Sequence, residues 1–151
     1  MAKKKELFDI FSAESLIIDS IAEMKKKMES SKQVIAKGTH LFDALNNEVK
    51  GSIKSSVVDN MQQAIRETIA DARRHWETST KALYELDKTI QKELNSKELT
   101  SVRFTRLKKL QAKNIEAKQK MASFNIKKME EDAYSTIARL SRALRKHYHN
   151  M

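Results

Sequence analysis

Arg106, Lys113, Lys120 and Lys127 recur at every seventh position in the last third of this 151-residue chain. On a continuous helix that spacing makes one stripe of cations about 10.5 Å apart, at 1.5 Å of rise per residue. Cations in a row bind polyanions: phosphate backbones, acidic protein surfaces or anionic headgroups. Lys109 widens the stripe, and Glu116 interrupts only its edge. The stretch RFTRLKKLQAKNIEAKQK, residues 103–120, holds seven basic residues against one acid. Farther on, Arg139, Arg142, Arg145 and Lys146 form a second basic group with no acid among their neighbours. Residues 1–96 carry 16 Lys/Arg against 15 Asp/Glu, and residues 97–151 carry 14 against 5, so nine of the ten net charges lie in the last third.

Other chemistries find little material. There is no cysteine, which excludes disulfides, thiolate metal sites and cysteine nucleophiles. The four histidines are His40, His75, His147 and His149. None follows a glutamate at the Glu-x-x-His spacing that carboxylate-bridged metal sites use in helical bundles. His40 and Asp43 could share a helix face, but one pair is too few ligands for a site. His147 and His149, in the tail HYHNM, read as a solvated terminus. Two distant glycines cannot build a phosphate loop, and no serine comes with the ordering residues of a triad. The chain is expected to be non-enzymatic, with no cofactor and no metal.

Trp76, in Arg73-Arg74-His75-Trp76, invites a reading as a stacking platform between cations, as in single-stranded nucleic-acid binders. Helical spacing already places it on an apolar seam, so it is read as core, with the arginines over its ring edge. The methionines also fall mostly on seams, as gap-fillers.

These side chains must be positioned by helices. The chain has no proline and two glycines, Gly38 and Gly51, too few turn-formers for a sheet-rich fold. The expected class is all-α. A first seam runs Ile17, Ile21, Met24, Met28, Ser31, Ile35, Gly38, Phe42, Leu45 and Val49 in alternating steps of four and three. Ser31 and Gly38 are the small exceptions, as where a neighbour approaches closely. A second seam runs Val58, Met61, Ile65, Ile69, Ala72, Trp76, Ser79, Leu83, Leu86, Ile90 and Leu94. The third segment carries Leu107, Leu110, Asn114, Ala117, Met121 and Phe124, then Ile126, Met129, Ala133, Ile137, Leu140, Leu144 and Tyr148. Its step pattern changes after Phe124, so the helix is expected to change partner near residue 125.

The elements predicted are a basic tail over 1–11, then one helical domain over 12–151 with helices at about 12–50, 55–95 and 98–149. Asp9 or Ser12 would cap the first, with Phe8 and Phe11 folded onto its first turn. Gly51 would end it in the left-handed conformation, and Ser52, Ser55 or Ser56 would cap the second, placing Asp59 in its first turn. Asn95 and Glu98 have capping-box spacing for the third. Two equal helices and a longer third predict an elongated antiparallel three-helix bundle whose C-terminal end protrudes, or a long helical hairpin pairing with a second chain. Asn114, at an a position, is either a buried amide that fixes register or the exposed end of a loose stretch.

The two arms around Val49-Lys50-Gly51 resemble in shape the helical hairpins of the WXG secretion family, which turn at Trp-x-Gly. The sequence departs from that family at the missing tryptophan and at Lys88, which stands four residues after Tyr84 where the family's trailing signal has an acid. The resemblance implies a small helical secretion-system substrate or partner.

Three function classes follow. The foremost is a helical assembly or adaptor protein that self-associates, as a homo- or hetero-oligomer, or docks an acidic partner through its basic C-terminal helix. The alternative is a non-specific nucleic-acid-binding or packaging protein, and the third is the secretion-system reading. The basic start MAKKKELFDIF lacks the apolar run of a cleaved signal peptide, and no segment approaches the roughly 20 apolar residues of a membrane span. A cytoplasmic protein is expected.

Overall fold

The computed structural model describes residues 8–149. Of these, 87% are helical and none is in a strand. The helices are α1 (Ile10–Asn47), α2 (Ser55–Leu94), α3 (Ser101–Ser123) and α4 (Ile126–Tyr148). The chain divides into two compact units. Unit 1 takes the described residues up to Glu23 together with Glu77–Phe124, and unit 2 takes Met24–Trp76 together with the described residues from Asn125.

The helix ends show which local signals won. The Asp9 carboxylate caps α1, accepting from the N–H groups of Phe11 and Ser12 at 3.0 and 3.2 Å and from the Ser12 hydroxyl at 2.7 Å. These bonds, the Ser12 hydroxyl first, hold its carboxyl below the usual carboxylate range. Phe11 does not fold back on the first turn; it is 79% exposed. Gly51 takes φ 81° in the link to α2, the conformation for which a glycine is needed. Because α2 begins at Ser55, Asp59 lies beyond its first turn. Thr100, not Asn95, caps α3, its hydroxyl accepting from the Arg103 N–H at 3.2 Å.

The 98–149 pattern is carried by two helices, not one. Asn125 stands between them at φ 50° and ψ 59°, a left-handed conformation that asparagine tolerates better than most residues. Its side chain then accepts from the Lys128 N–H at 3.3 Å and caps α4. The change of pattern after Phe124 coincides with this break, and α3 belongs to unit 1 while α4 belongs to unit 2.

In unit 1, α2 runs antiparallel to α3, with Glu93 beside Arg103 and Leu83 and Asp87 beside Asn114. The start of α1 runs parallel to α3, as Phe8 meets Arg103 and Glu14 meets Lys113. The buried side chains include Ile17, Leu83, Leu86, Ile90, Leu107, Leu110 and Met121. Unit 2 has the same up-down-up order, with Arg73 beside Glu130 and Gln62 bonded to the Ile137 carbonyl and Ser141. Met24, Leu45, Val58, Ile65, Ile69, Ile126 and Leu140 are among its core.

The end of α4 does not protrude. His147 is buried, its Nε2 accepting from the Ile53 N–H and its Nδ1 facing the Leu45 carbonyl, each at 3.2 Å. That pairing fits the neutral ring with its proton on Nδ1. Tyr148 donates its hydroxyl to the Ile53 carbonyl. His147 is therefore a structural bridge from α4 to the α1–α2 connection, not part of a solvated tail.

Gly38 marks the closest approach in unit 2. A Cβ there would stand 2.8 Å from Thr136 Cγ2 and 2.9 Å from Ile65 Cδ1. The Ile65 methyl can swing aside, but β-branched Thr136 is stiff at χ1. Gly38→Ala gains roughly 1 kcal/mol of helix propensity and loses about 1–3 kcal/mol to overpacking. A net loss of about 1 kcal/mol is expected in urea denaturation. Thr136→Ser, which deletes the obstructing methyl and keeps the hydroxyl on the Asp132 carbonyl, should recover most of that loss. A stabilised single variant would contradict the close approach.

Candidate functional site

All nine cations singled out in the sequence lie on the surface: Arg106, Lys109, Lys113, Lys120, Lys127, Arg139, Arg142, Arg145 and Lys146. Lys113 reaches Glu14 at 3.6 Å. Among the described residues the other eight pair with no carboxylate; Lys120 instead lies 5.8 Å from the centroid of the Phe124 ring. The cations that do hold the fold together are different ones. Lys118 bonds Asp87, Arg103 reaches Glu93 at 3.7 Å and the Phe8 carbonyl at 2.7 Å, and Arg73 holds Glu130 at 3.0 Å.

The expected stripe of Arg106, Lys113, Lys120 and Lys127 does not lie on one continuous helix. Seven-residue spacing makes a common face only along an unbroken helix. The left-handed Asn125 interrupts that helix between Lys120 and Lys127. Arg106, Lys113 and Lys120, with Lys109 beside them, are a face of α3, whereas Lys127 opens α4. On α4 the acids Glu130, Glu131 and Asp132 lie in the first half, and residues 133–149 contain none. Arg139, Arg142, Arg145 and Lys146 are exposed at steps of three, three and one, a compact basic face of the last three turns.

The seam residues lie inward. Met28, Ile65, Leu83, Leu107 and Ile137 are buried, while Ile21, Ile35, Phe42, Met61, Trp76, Phe124 and Leu144 are half-buried. Trp76 has the Arg73 guanidinium carbon 5.5 Å from its ring centroid, and that guanidinium is itself held by Glu130, so the ring is not an open stacking platform. His40 and Asp43 are exposed, and no group of three metal-ligating side chains occurs among the described residues. No described helix is long and apolar enough to cross a membrane.

Asn114 is fully buried, which decides between its two readings. Its amide donates to the Leu83 carbonyl at 2.9 Å and to Asp87 at 2.6 Å, and Asp87 also receives Lys118. The two buried N–H groups are satisfied only where those acceptors stand, while Asn114 Oδ1 is buried without a partner, so the amide donors fix the register of α3 against α2 in unit 1. A shallow open groove alongside is lined by Asp87, Lys88, Gln91, Gln111 and Ile115. It holds no nucleophile with a base beside it.

Sequence reasoning placed Phe11 on the first turn of α1 and passed over Ile18 and Val102, three side chains that the structure leaves on the surface. Phe11 and Ile18 on α1 and Val102 on α3 are 79%, 61% and 65% exposed, all in unit 1. The available signal was their helical spacing off the seam, three and four residues either side of Glu14 for the α1 pair.

Comparison with protein-family models, with curated proteins and with solved structures finds no match for this chain.

Two ion-pair predictions follow from the geometry. Asp71 is held below the usual carboxylate range, first by its hydrogen bond from Lys27; burial opposes this, and the charges of Lys27, Arg74 and His75 add to the lowering. A depressed carboxyl contributes stability that is present above its unfolded value, about 3.9, and is lost as pH falls through the lower folded value. The stability gap between wild type and Asp71→Asn should therefore be positive at pH 7 and close toward pH 2 in denaturant titrations. A gap that widens in acid would refute the assignment. Asp87→Ala strands the Lys118 ammonium and one Asn114 donor together and should cost about 1–3 kcal/mol, readable as a lowered urea midpoint.

Proposed function

We propose that this chain is a non-enzymatic helical adaptor that docks an acidic macromolecular partner on the exposed cations of α3 or of α4. The observation that carries the reading is the division of labour among basic residues. Lys27, Arg73, Arg103 and Lys118 pair with acids between helices, and Arg74, Lys88 and Lys128 pair with acids on their own helices, while eight of the nine cations singled out on α3 and α4 have no carboxylate partner among the described residues. Their fields add outward and attract an anionic surface. Two copies meeting through this surface would bring like charges together, which disfavours self-pairing there.

An acidic protein is favoured over a phosphate backbone by the apolar groups Phe11, Ile18 and Val102 in the same unit as the α3 cations. Phosphate contacts do not use exposed apolar side chains, whereas protein interfaces combine them with a charged rim. The acid-free stretch 133–149 supports a second reading, a sequence-independent nucleic-acid binder using α4.

Fluorescence anisotropy with a labelled oligoglutamate peptide and a labelled random-sequence duplex separates the two. The adaptor reading predicts binding of the acidic peptide, weakened roughly tenfold or more by joint Arg139→Gln, Arg142→Gln and Arg145→Gln. It also predicts weak duplex binding at near-physiological salt. Absence of peptide binding, with tight duplex binding whose logarithm falls steeply with the logarithm of salt, would reverse the order.

A further inference from the structure

We infer that the side of unit 1 where α1 meets α3 is a docking groove for one acidic amphipathic helix, because it sets exposed Phe11 and Ile18 beside the Arg106–Lys113–Lys120 face. This rests on the acidic-partner reading above and names the form of the partner and its seat. Phe11, Glu14 and Ile18 are three and four residues apart, so they share one face of α1. Arg106, Lys113 and Lys120 are seven apart within the unbroken α3, so they share one face of that helix. The Glu14–Lys113 pair at 3.6 Å brings the two faces edge to edge. The contact of Phe8 with Arg103 shows that the helices run in the same direction, which sets Phe11 near the level of Arg106 and Ile18 near that of Ala117. Val102, also exposed, lies four residues before Arg106 on the same side.

The result is an apolar wall on α1 and a cationic wall on α3. Phe11 to Ile18 spans about 10.5 Å and Arg106 to Lys120 about 21 Å, a seat for a helix of roughly four turns. A fitting occupant has an apolar stripe at helical spacing to cover Phe11 and Ile18, and acids along one flank to meet Arg106 and Lys120. Glu14 is paired with Lys113, and the exposed Glu116 borders the cationic face between Lys113 and Lys120, which leaves Arg106 and Lys120 as the cations open to a partner's acids. Two copies meeting groove to groove would set like charges against each other. A flat anionic membrane would leave the two walls unmatched and bury few apolar side chains.

The test uses the full chain and a synthetic peptide of about three heptads with leucine at a and d and glutamate at e and g, beside a scrambled peptide of equal composition. The expected result is binding of the patterned peptide and at least tenfold weaker binding of the scrambled one. Phe11→Ser with Ile18→Ser should weaken binding at least tenfold with helicity unchanged by circular dichroism, because both side chains are exposed. Arg106→Gln with Lys120→Gln should weaken it several-fold, while the α4 triple arginine variant should stay within about twofold. Equal binding of both peptides, or loss only in the α4 variant, would overturn the groove and leave the adaptor reading standing. If neither these peptides nor oligoglutamate bind, both readings fall. A sedimenting dimer that Ile18→Ser dissociates, or capture of phosphatidylserine vesicles in place of the peptide, would also overturn the inference by naming another occupant.

Discussion

Met121 and Ile126 are both buried and lie five positions apart. At 100° per residue a continuous helix would turn Ile126 about 140° away from Met121 and put one of the two in water. The chain resolves the conflict by breaking. Phe124 closes α3 with its N–H on the Met121 carbonyl at 3.4 Å, and Asn125 takes the left-handed conformation and caps the next helix. Each part of the third segment then keeps its own apolar phase, Leu107 to Met121 in unit 1 and Ile126 to Ala143 in unit 2. The strain of one non-glycine residue at positive φ is of order 1–2 kcal/mol. It is small against the burial of Ile126 and Met129, each worth roughly 1.5–3 kcal/mol.

The distribution of charge follows from the same constraint. With α3 and α4 held by separate apolar phases, the cations divide into an α3 face next to exposed apolar groups and an α4 face free of acids. Lys27, Arg73, Arg103 and Lys118 are drawn between helices, where each meets an acid. Asn114 and His147 make the register specific within their units, since each has polar atoms that only one alignment satisfies. Rigid helices that present unpaired cations are suited to docking, because little conformational entropy is lost when a partner arrives.

Much of this was legible in the residues. The three seams named the buried faces because a 3.6-residue period is a direct consequence of helical geometry, except at Val49, which lies past the end of α1 and is exposed. Ser31 and Gly38 announced a close approach, and Ser31 is fully buried while Gly38 lies against Thr136 and Ile65. The change of pattern near residue 125 was visible, but the break was not, because no glycine or proline marks it; the signal was an asparagine placed in a five-residue step. His147 was misread because its partners, Leu45 and Ile53, are 102 and 94 residues away in sequence. Thr100 displaced the Asn95–Glu98 cap, its hydroxyl accepting from the Arg103 N–H. The even spacing of Arg106 to Lys127 suggested one stripe only under the assumption of a continuous helix.

Amide hydrogen exchange across residues 115–135 tests the break most directly. Protected amides through Met121, rapid exchange at Ile126 and Lys127, whose N–H groups begin a new helix, and renewed protection from Met129 onward are the predicted pattern. Unbroken protection from Ala117 through Ala133 would show one continuous helix, restore a single cation stripe, and contradict the division on which this account of the surface depends.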